Sequence, residues 1–202
     1  MYALLVQLEV GGTSHQATFE SVEESEIIGL VVDGVWMELV PVADGDGVRV
    51  EIDLYQARST RWGFRTRPVA SPHMLLPKDT TGAVSISDPA WTVKVTVGDT
   101  AEVLPEFMVE VGELEVGIDG PKGPGRWVLH DPSEVCVVWE RDTLVCPSAG
   151  DRVGVEVHRL QAHRRGWSRE PIIVASTSED VLHGNSASGD YALDVHWVRA
   201  SD

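Results

Sequence analysis

The chain has 202 residues, 43% hydrophobic and 24% charged, and sets 16 Lys+Arg against 32 Asp+Glu for a formal net charge of −16. With a sequence pI near 4.7 it repels phosphate and anionic lipid, which disfavours a general nucleic-acid or membrane-surface binder and favours a basic partner. Two cysteines are too few for a disulfide framework, and no apolar run approaches the roughly 20 residues that span a bilayer.

The opening residues Met1-Tyr2-Ala3-Leu4-Leu5-Val6-Gln7 have no basic n-region and reach Glu9 before an apolar segment of signal-peptide length, so the expected setting is cytoplasmic. Gly11-Gly12 reads as a turn. The run Glu20, Glu23, Glu24, Glu26 lacks the regular oxygen spacing of a calcium loop and reads as an acidic surface. Val31-Val32-Asp33-Gly34-Val35-Trp36 is a type I′ hairpin signal, because Asp-Gly accepts the positive φ that such a turn demands. Asp44-Gly45-Asp46-Gly47 marks a second turn and adds carboxylates. Val48, Val50, Ile52 and Leu54 then alternate with Arg49, Glu51 and Asp53, the pattern of a half-buried strand. Gln56-Ala57-Arg58-Ser59-Thr60-Arg61-Trp62-Gly63-Phe64-Arg65-Thr66-Arg67 follows it. Val93, Val95 and Val97 form another alternating strand, and Gly98 to Pro105 reads as a short linker.

Beyond that linker much of the pattern recurs. Gly45-Asp46-Gly47-Val48-Arg49-Val50-Glu51-Ile52 is matched by Gly150-Asp151-Arg152-Val153-Gly154-Val155-Glu156-Val157 at an offset of 105, which also carries Gln56-Ala57 onto Gln161-Ala162 and Trp62 onto Trp167. An offset of 106 pairs Leu8-Glu9-Val10-Gly11 with Leu114-Glu115-Val116-Gly117, and one of 100 pairs Trp91 to Val97 with Tyr191 to Trp197. Residues 1–105 and 106–202 each carry −8. These matches predict an all-β chain of two tandem, internally duplicated antiparallel β-sandwich or open-barrel modules, 1–105 and 106–202. A single larger sandwich with a shared core is the alternative. Gly117 to Gly125 reads as a long early loop of the second copy.

Cys136 and Cys146 flank Glu140-Arg141-Asp142; a three-residue hairpin tip there would set them opposite each other. A disulfide is conceivable, but a reducing cytosol favours two buried thiols. His158, His163, His183 and His196 gather in the second half without zinc-site spacing, so neither metal nor cofactor is expected. No Gly-x-Ser-x-Gly, Walker-type loop or dinucleotide fingerprint is present, so the chain reads as non-enzymatic. One feature runs against the net charge: Arg58, Arg61, Trp62 and Arg65 in the first half and Arg164, Arg165, Trp167 and Arg169 in the second form a cationic, aromatic corner suited to anion capture or stacking.

Ser188-Gly189-Asp190-Tyr191-Ala192-Leu193-Asp194-Val195-His196-Trp197-Val198 resembles the closing strand of the competence-associated DNA-entry nuclease inhibitors, which end in a Gly-Asp-Tyr turn and an alternating strand with Trp. The likeness covers about ten of the 202 residues. It implies a small acidic inhibitor that occupies the basic cleft of a nuclease, and it carries over no site residues. Together the features predict a non-catalytic acidic binding protein of immunity or inhibitor type, neutralising a basic protein such as a nuclease toxin. Glu20, Glu23, Glu24, Glu26, Asp44 and Asp46 are its first contact candidates. The alternatives are a structural β-sandwich module of a larger assembly, and an anion- or carbohydrate-binding or processing protein built on the Arg/Trp corner.

Overall fold

The alternation that begins at Val48 runs through a 14-residue strand, with Val48, Val50, Ile52 and Leu54 buried and their neighbours half or fully exposed. The same logic repeats along the chain in a computed structural model that describes residues 1–99, 113–130, 135–148, 152–164 and 166–198. Its strands are β1 (Tyr2–Val10), β2 (Thr13–Val22), β3 (Ile28–Val32), β4 (Val35–Asp44), β5 (Gly47–Thr60), β6 (Gly63–Ala70), β7 (His73–Pro77), β8 (Thr80–Ser87), β9 (Ala90–Asp99), β10 (Leu114–Gly120), β11 (Gly123–Leu129), β12 (Cys136–Trp139), β13 (Thr143–Ser148), β14 (Val153–His163), β15 (Gly166–Thr177), β16 (Val181–Asn185) and β17 (Ala192–Trp197). The turns follow their residues. Asp33 and Gly34 take φ of 46° and 79° between Val32 and Val35, which pair, and Gly45 takes 61° between the paired Asp44 and Gly47.

The strands form two antiparallel sheets. The first has the order β16-β17-β10-β11-β2-β1-β9-β8, and the second β4-β3-β12-β13-β14-β15-β6-β5-β7 with a further β4–β5 pairing. Each sheet takes strands from both sides of residue 105, and the seams between them are β2–β11, β3–β12 and β6–β15. Segments matched in sequence sit in the same sheet: β1 with β10 and β9 with β17 in the first, β5 with β14 in the second. The main core lies between the sheets and draws Leu4, Val6, Phe19 and Val95 from the first and Leu30, Met37, Ile52 and Val157 from the second. The boundary at residues 105 and 106, and the linker from residue 100 onward, lie outside the described residues.

The β4–β5 pairing closes eight strands of the second sheet into a ring. On the side away from the main core a smaller cluster fills that ring: Val31, Trp36, Ala57, Val138, Leu144 and Leu160, with Tyr55, Phe64, Cys136, Cys146 and Trp167 against them. Every strand of the ring contributes a residue. Closure depends on two arms, β5–β6 and β14–β15, each carrying one extra residue on its second strand where the register slips, beside Pro68 and Pro171. Bulges of this kind bend a strand pair, and they are where a sheet tolerates proline. The bent arms meet through Arg65, Phe64 and Gly63 opposite Gly166, Trp167 and Ser168.

Three sequence expectations change. Gly117–Gly125 is no long loop but the body of the β10–β11 hairpin, turning at Pro121 and Lys122 between the paired Gly120 and Gly123. Its glycines make room for rings: a Cβ on Gly120 would lie 2.9 Å from Tyr191, and one on Gly125 would lie 3.0 Å from Trp127 and 3.2 Å from Trp139. The two cysteines are not thiols: Cys136 and Cys146 form a disulfide across β12 and β13, with Cα atoms 4.3 Å apart. The facing geometry is the one the hairpin count gives; the redox expectation is overturned, and with it the cysteine argument for a reducing compartment. Third, Trp62 and Trp167 do not hold like positions. Trp167 packs within the ring and faces Phe64, whereas Trp62 stands at the tip of the first arm.

Candidate functional site

Strand β5 links two ends of opposite charge. At its start Asp44 and Asp46 are exposed on the β4–β5 turn. The β2–β3 loop comes against this turn: the Ser25 amide donates to the Pro41 carbonyl at 2.8 Å and the Ala43 amide to Glu24 Oε1 at 3.2 Å. Glu23, Glu24, Asp44 and Asp46 therefore belong to one acidic end. Glu26 is turned to internal use, accepting from Trp139 Nε1 at 2.8 Å and from the Glu23 amide at 2.7 Å. Burial pushes its carboxyl above the ordinary range, partly offset by those hydrogen bonds. Glu140, on the β12–β13 tip, accepts the Ile27 amide at 3.1 Å. A cleft of about 390 Å³ lies here between Glu23, Glu24, Glu26, Glu140, Trp139 and Lys122. Glu20 sits on β2 next to Ser21, which lines this cleft, and its own carboxyl is pushed up by burial and by Glu115 and drawn back by Arg126.

The far end of β5 is the basic arch. Ala57 and Tyr55 face the ring interior, so by strand alternation Gln56 and Arg58 face outward, and the register places Arg65 opposite Arg58 and Arg67 opposite Gln56. Trp62 is 71% exposed at the arm's tip, with the Arg61 guanidinium 4.9 Å from its ring centroid. Inside the arch Trp167 stacks on Trp36 at 5.3 Å, Phe64 meets Trp36 edge-on at 5.5 Å, and Arg169 lies 5.6 Å from the Phe64 ring. The Arg169 amide donates to the Trp62 carbonyl at 2.9 Å, which fixes one arm's tip on the other. Arg164 is exposed at the second tip, and Arg165 lies outside the described residues. The corner read from sequence is thus brought together, except that Trp167 serves the interior and Trp62 the surface.

Gly63 and Gly166 make this contact geometrically feasible. They take φ of 148° and 142°, and a Cβ on either would overlap a backbone oxygen of the opposing arm, that of Trp167 or of Phe64.

Sequence reasoning misses a third group. Glu38 is 3% exposed and both its oxygens are engaged, Oε1 by Trp36 Nε1 at 3.0 Å and Oε2 by Arg141 Nε at 2.7 Å and Nη2 at 2.6 Å. Arg141 also lies 3.6 Å from Asp53. Burial alone would lower the Arg141 pKa, but its bond to Glu38 outweighs that and holds it above the ordinary value. Burial, then the charges of Asp53 and Glu38, raise Tyr55. Arg141 thus ties the β12–β13 tip to β4 and β5 at the mouth of the ring. Its contact with Glu38 spans 103 residues and has no local sequence signal.

The four histidines do not gather. His158 is buried beside Glu156, His163 bonds Ser168 on the second arm, and only His183 and His196 share a place, one groove on the outer face of the first sheet, where His183 Nδ1 meets Asp194 Oδ1 at 3.0 Å. No group of three or more metal-ligating side chains occurs among the described residues. One hydroxyl–imidazole–carboxylate line does occur: Thr18 Oγ1 lies 3.1 Å from His130 Nε2, and His130 Nδ1 contacts Glu113. Thr18 is 1% exposed, so its hydroxyl is closed to a substrate, and the line ties β2 to the residues that follow β11 and precede β10. Comparison with known protein families, with curated proteins and with solved structures finds no match for this chain.

Proposed function

We propose that this chain is a non-catalytic binding protein of the immunity or inhibitor type, which engages a basic protein, most concretely a nuclease toxin, through its acidic end. The observation that carries the reading is the assembly of Glu23, Glu24, Asp44 and Asp46 from two separate turns onto one end of the molecule. The two turns are held together by the Ser25 amide on the Pro41 carbonyl and the Ala43 amide on the Glu24 carboxylate, so little loop ordering opposes association. Opposite potentials speed encounter by 10 to 10³-fold, on the order expected for steered complexes, and that gain falls with salt. The likeness of the closing strand to nuclease inhibitors points the same way. Nuclease activity in a lysate of the native cell, measured against added protein at low ionic strength, tests the reading: it falls with dose and recovers at high salt. Activity that does not change with dose at any salt sinks the nuclease assignment.

A further inference from the structure

The arginines fall into two sets. Arg49, Arg126 and Arg141 each meet a carboxylate, Glu51 at 3.3 Å, Glu115 at 3.8 Å and Glu38 at 2.6 Å. Arg58, Arg61, Arg65, Arg67, Arg164 and Arg169 meet none among the described residues, in a chain with 32 carboxylates. Arg152 and Arg159 also meet none among those residues, and the other six of these eight unpaired arginines converge on the arch. Arg58 and Arg65 stand directly opposite each other on its outer face, an arrangement that costs stability because like charges face each other across a strand pair. Beyond Arg65 the register places Gly166, which has no side chain, so the floor beside the two guanidinium groups is bare. Two residue steps along, about 7 Å, the arm ends at the Thr60–Gly63 pair, and the Trp62 indole on the turn beyond it lies open to solvent.

We propose that this outer face is a binding site for a small tetrahedral oxyanion, a phosphate or sulfate monoester, carried on a ring that lies against Trp62. Two planar guanidinium forks side by side match the several acceptor oxygens of such a group. An exposed indole supplies a flat face for a sugar or a base. The net charge selects against long polyanions, which extend over the acidic body as well as the arch. A small dianion senses chiefly the charges within a Debye length of about 8 Å, and Asp46 is some 40 Å of extended strand from Arg58.

Calorimetric titration of the whole protein with inorganic phosphate, inorganic sulfate, glucose 6-phosphate and adenosine 5′-monophosphate tests the site. The ring esters bind saturably, about tenfold more tightly than the inorganic ions. Arg58→Gln with Arg65→Gln abolishes binding of all four while the melting temperature holds or rises, since the removed charges repel each other. Trp62→Ala removes the preference for esters and leaves the inorganic ions bound. Preference between the two esters identifies the ring as sugar or base. The proposal is overturned by the absence of saturable binding by any of the four, by unaltered binding in the double arginine variant, or by tighter binding of a heparin or DNA fragment than of the esters.

Discussion

Replacing Gly166 with alanine opens the arch. At φ of 142° an L-residue is strained, a cost of about 1–2 kcal/mol by analogy with other left-handed positions. The added Cβ also overlaps the Phe64 carbonyl oxygen and comes within 2.9 Å of Arg65 Cα, both backbone atoms of the facing strand. Backbone yields only by separating β6 from β15, so the three residue pairs of that seam are lost. Two or three backbone hydrogen bonds at about 1 kcal/mol each, with about 1 kcal/mol for the Trp167–Trp36 stack, bring the total to about 4–6 kcal/mol. Gly189→Ala is the matched control, because Gly189 has φ of 78° and open space where its Cβ would go; it carries the backbone strain alone, about 1 kcal/mol. Equilibrium urea unfolding followed by tryptophan fluorescence measures both. A Gly166→Ala loss within about 1 kcal/mol of the control would refute the closed ring as the reason for glycine there.

Other consequences follow from named contacts. Arg141→Ala leaves the buried Glu38 carboxylate without its cation and lowers stability by about 2 kcal/mol, less than a fully enclosed pair because Arg141 is half exposed. Adding Glu38→Gln recovers part of that loss in the same unfolding assay, and no recovery speaks against the pairing. Reducing the Cys136–Cys146 bond, which closes a short loop, costs up to about 3 kcal/mol. The effect appears as a lower melting temperature in dithiothreitol, whereas two titratable thiols in the denatured, unreduced protein contradict the bond. Glu26 has a raised pKa, so its folded form holds a proton more readily than the unfolded chain. Its contribution is most favourable below the unfolded carboxyl range and declines as pH rises through that range to the folded value. The stability of wild type relative to Glu26→Gln therefore falls with rising pH across the carboxylate range, and a pH-independent difference counts against the burial of that group.

Residues whose role is local are legible in the amino-acid sequence. The Val48–Leu54 alternation and the Asp33-Gly34 turn each involve neighbours in sequence, and each appears in place. The cysteine pair is half legible, since the hairpin count gives its geometry while its oxidation has no signal in residue spacing. The Gly117–Gly125 hairpin is hidden because glycine weakens the period-two signal, and here the glycines serve rings that arrive from β11, β12 and the turn before β17. Nothing local predicts the ring. Its two seams between the halves are non-local, β6–β15 has only three residue pairs, and the Glu38–Arg141 bond joins elements 103 residues apart. The acidic candidates divide by use, with Glu26 bonded to Trp139 and Glu20 interacting with Glu115 and Arg126, so composition alone overstates the acidic end.

Recognition through that end is tested most directly by affinity capture from a native lysate at low salt. Wild type is compared with a variant carrying Glu23→Gln, Glu24→Gln, Asp44→Asn and Asp46→Asn, and with the Arg58→Gln, Arg65→Gln protein. A basic protein is expected on wild type and on the arginine variant, released as salt rises, and lost from the acidic-end variant. Equal capture by all three, or no basic protein held by wild type, rules out the acidic end as the seat of recognition.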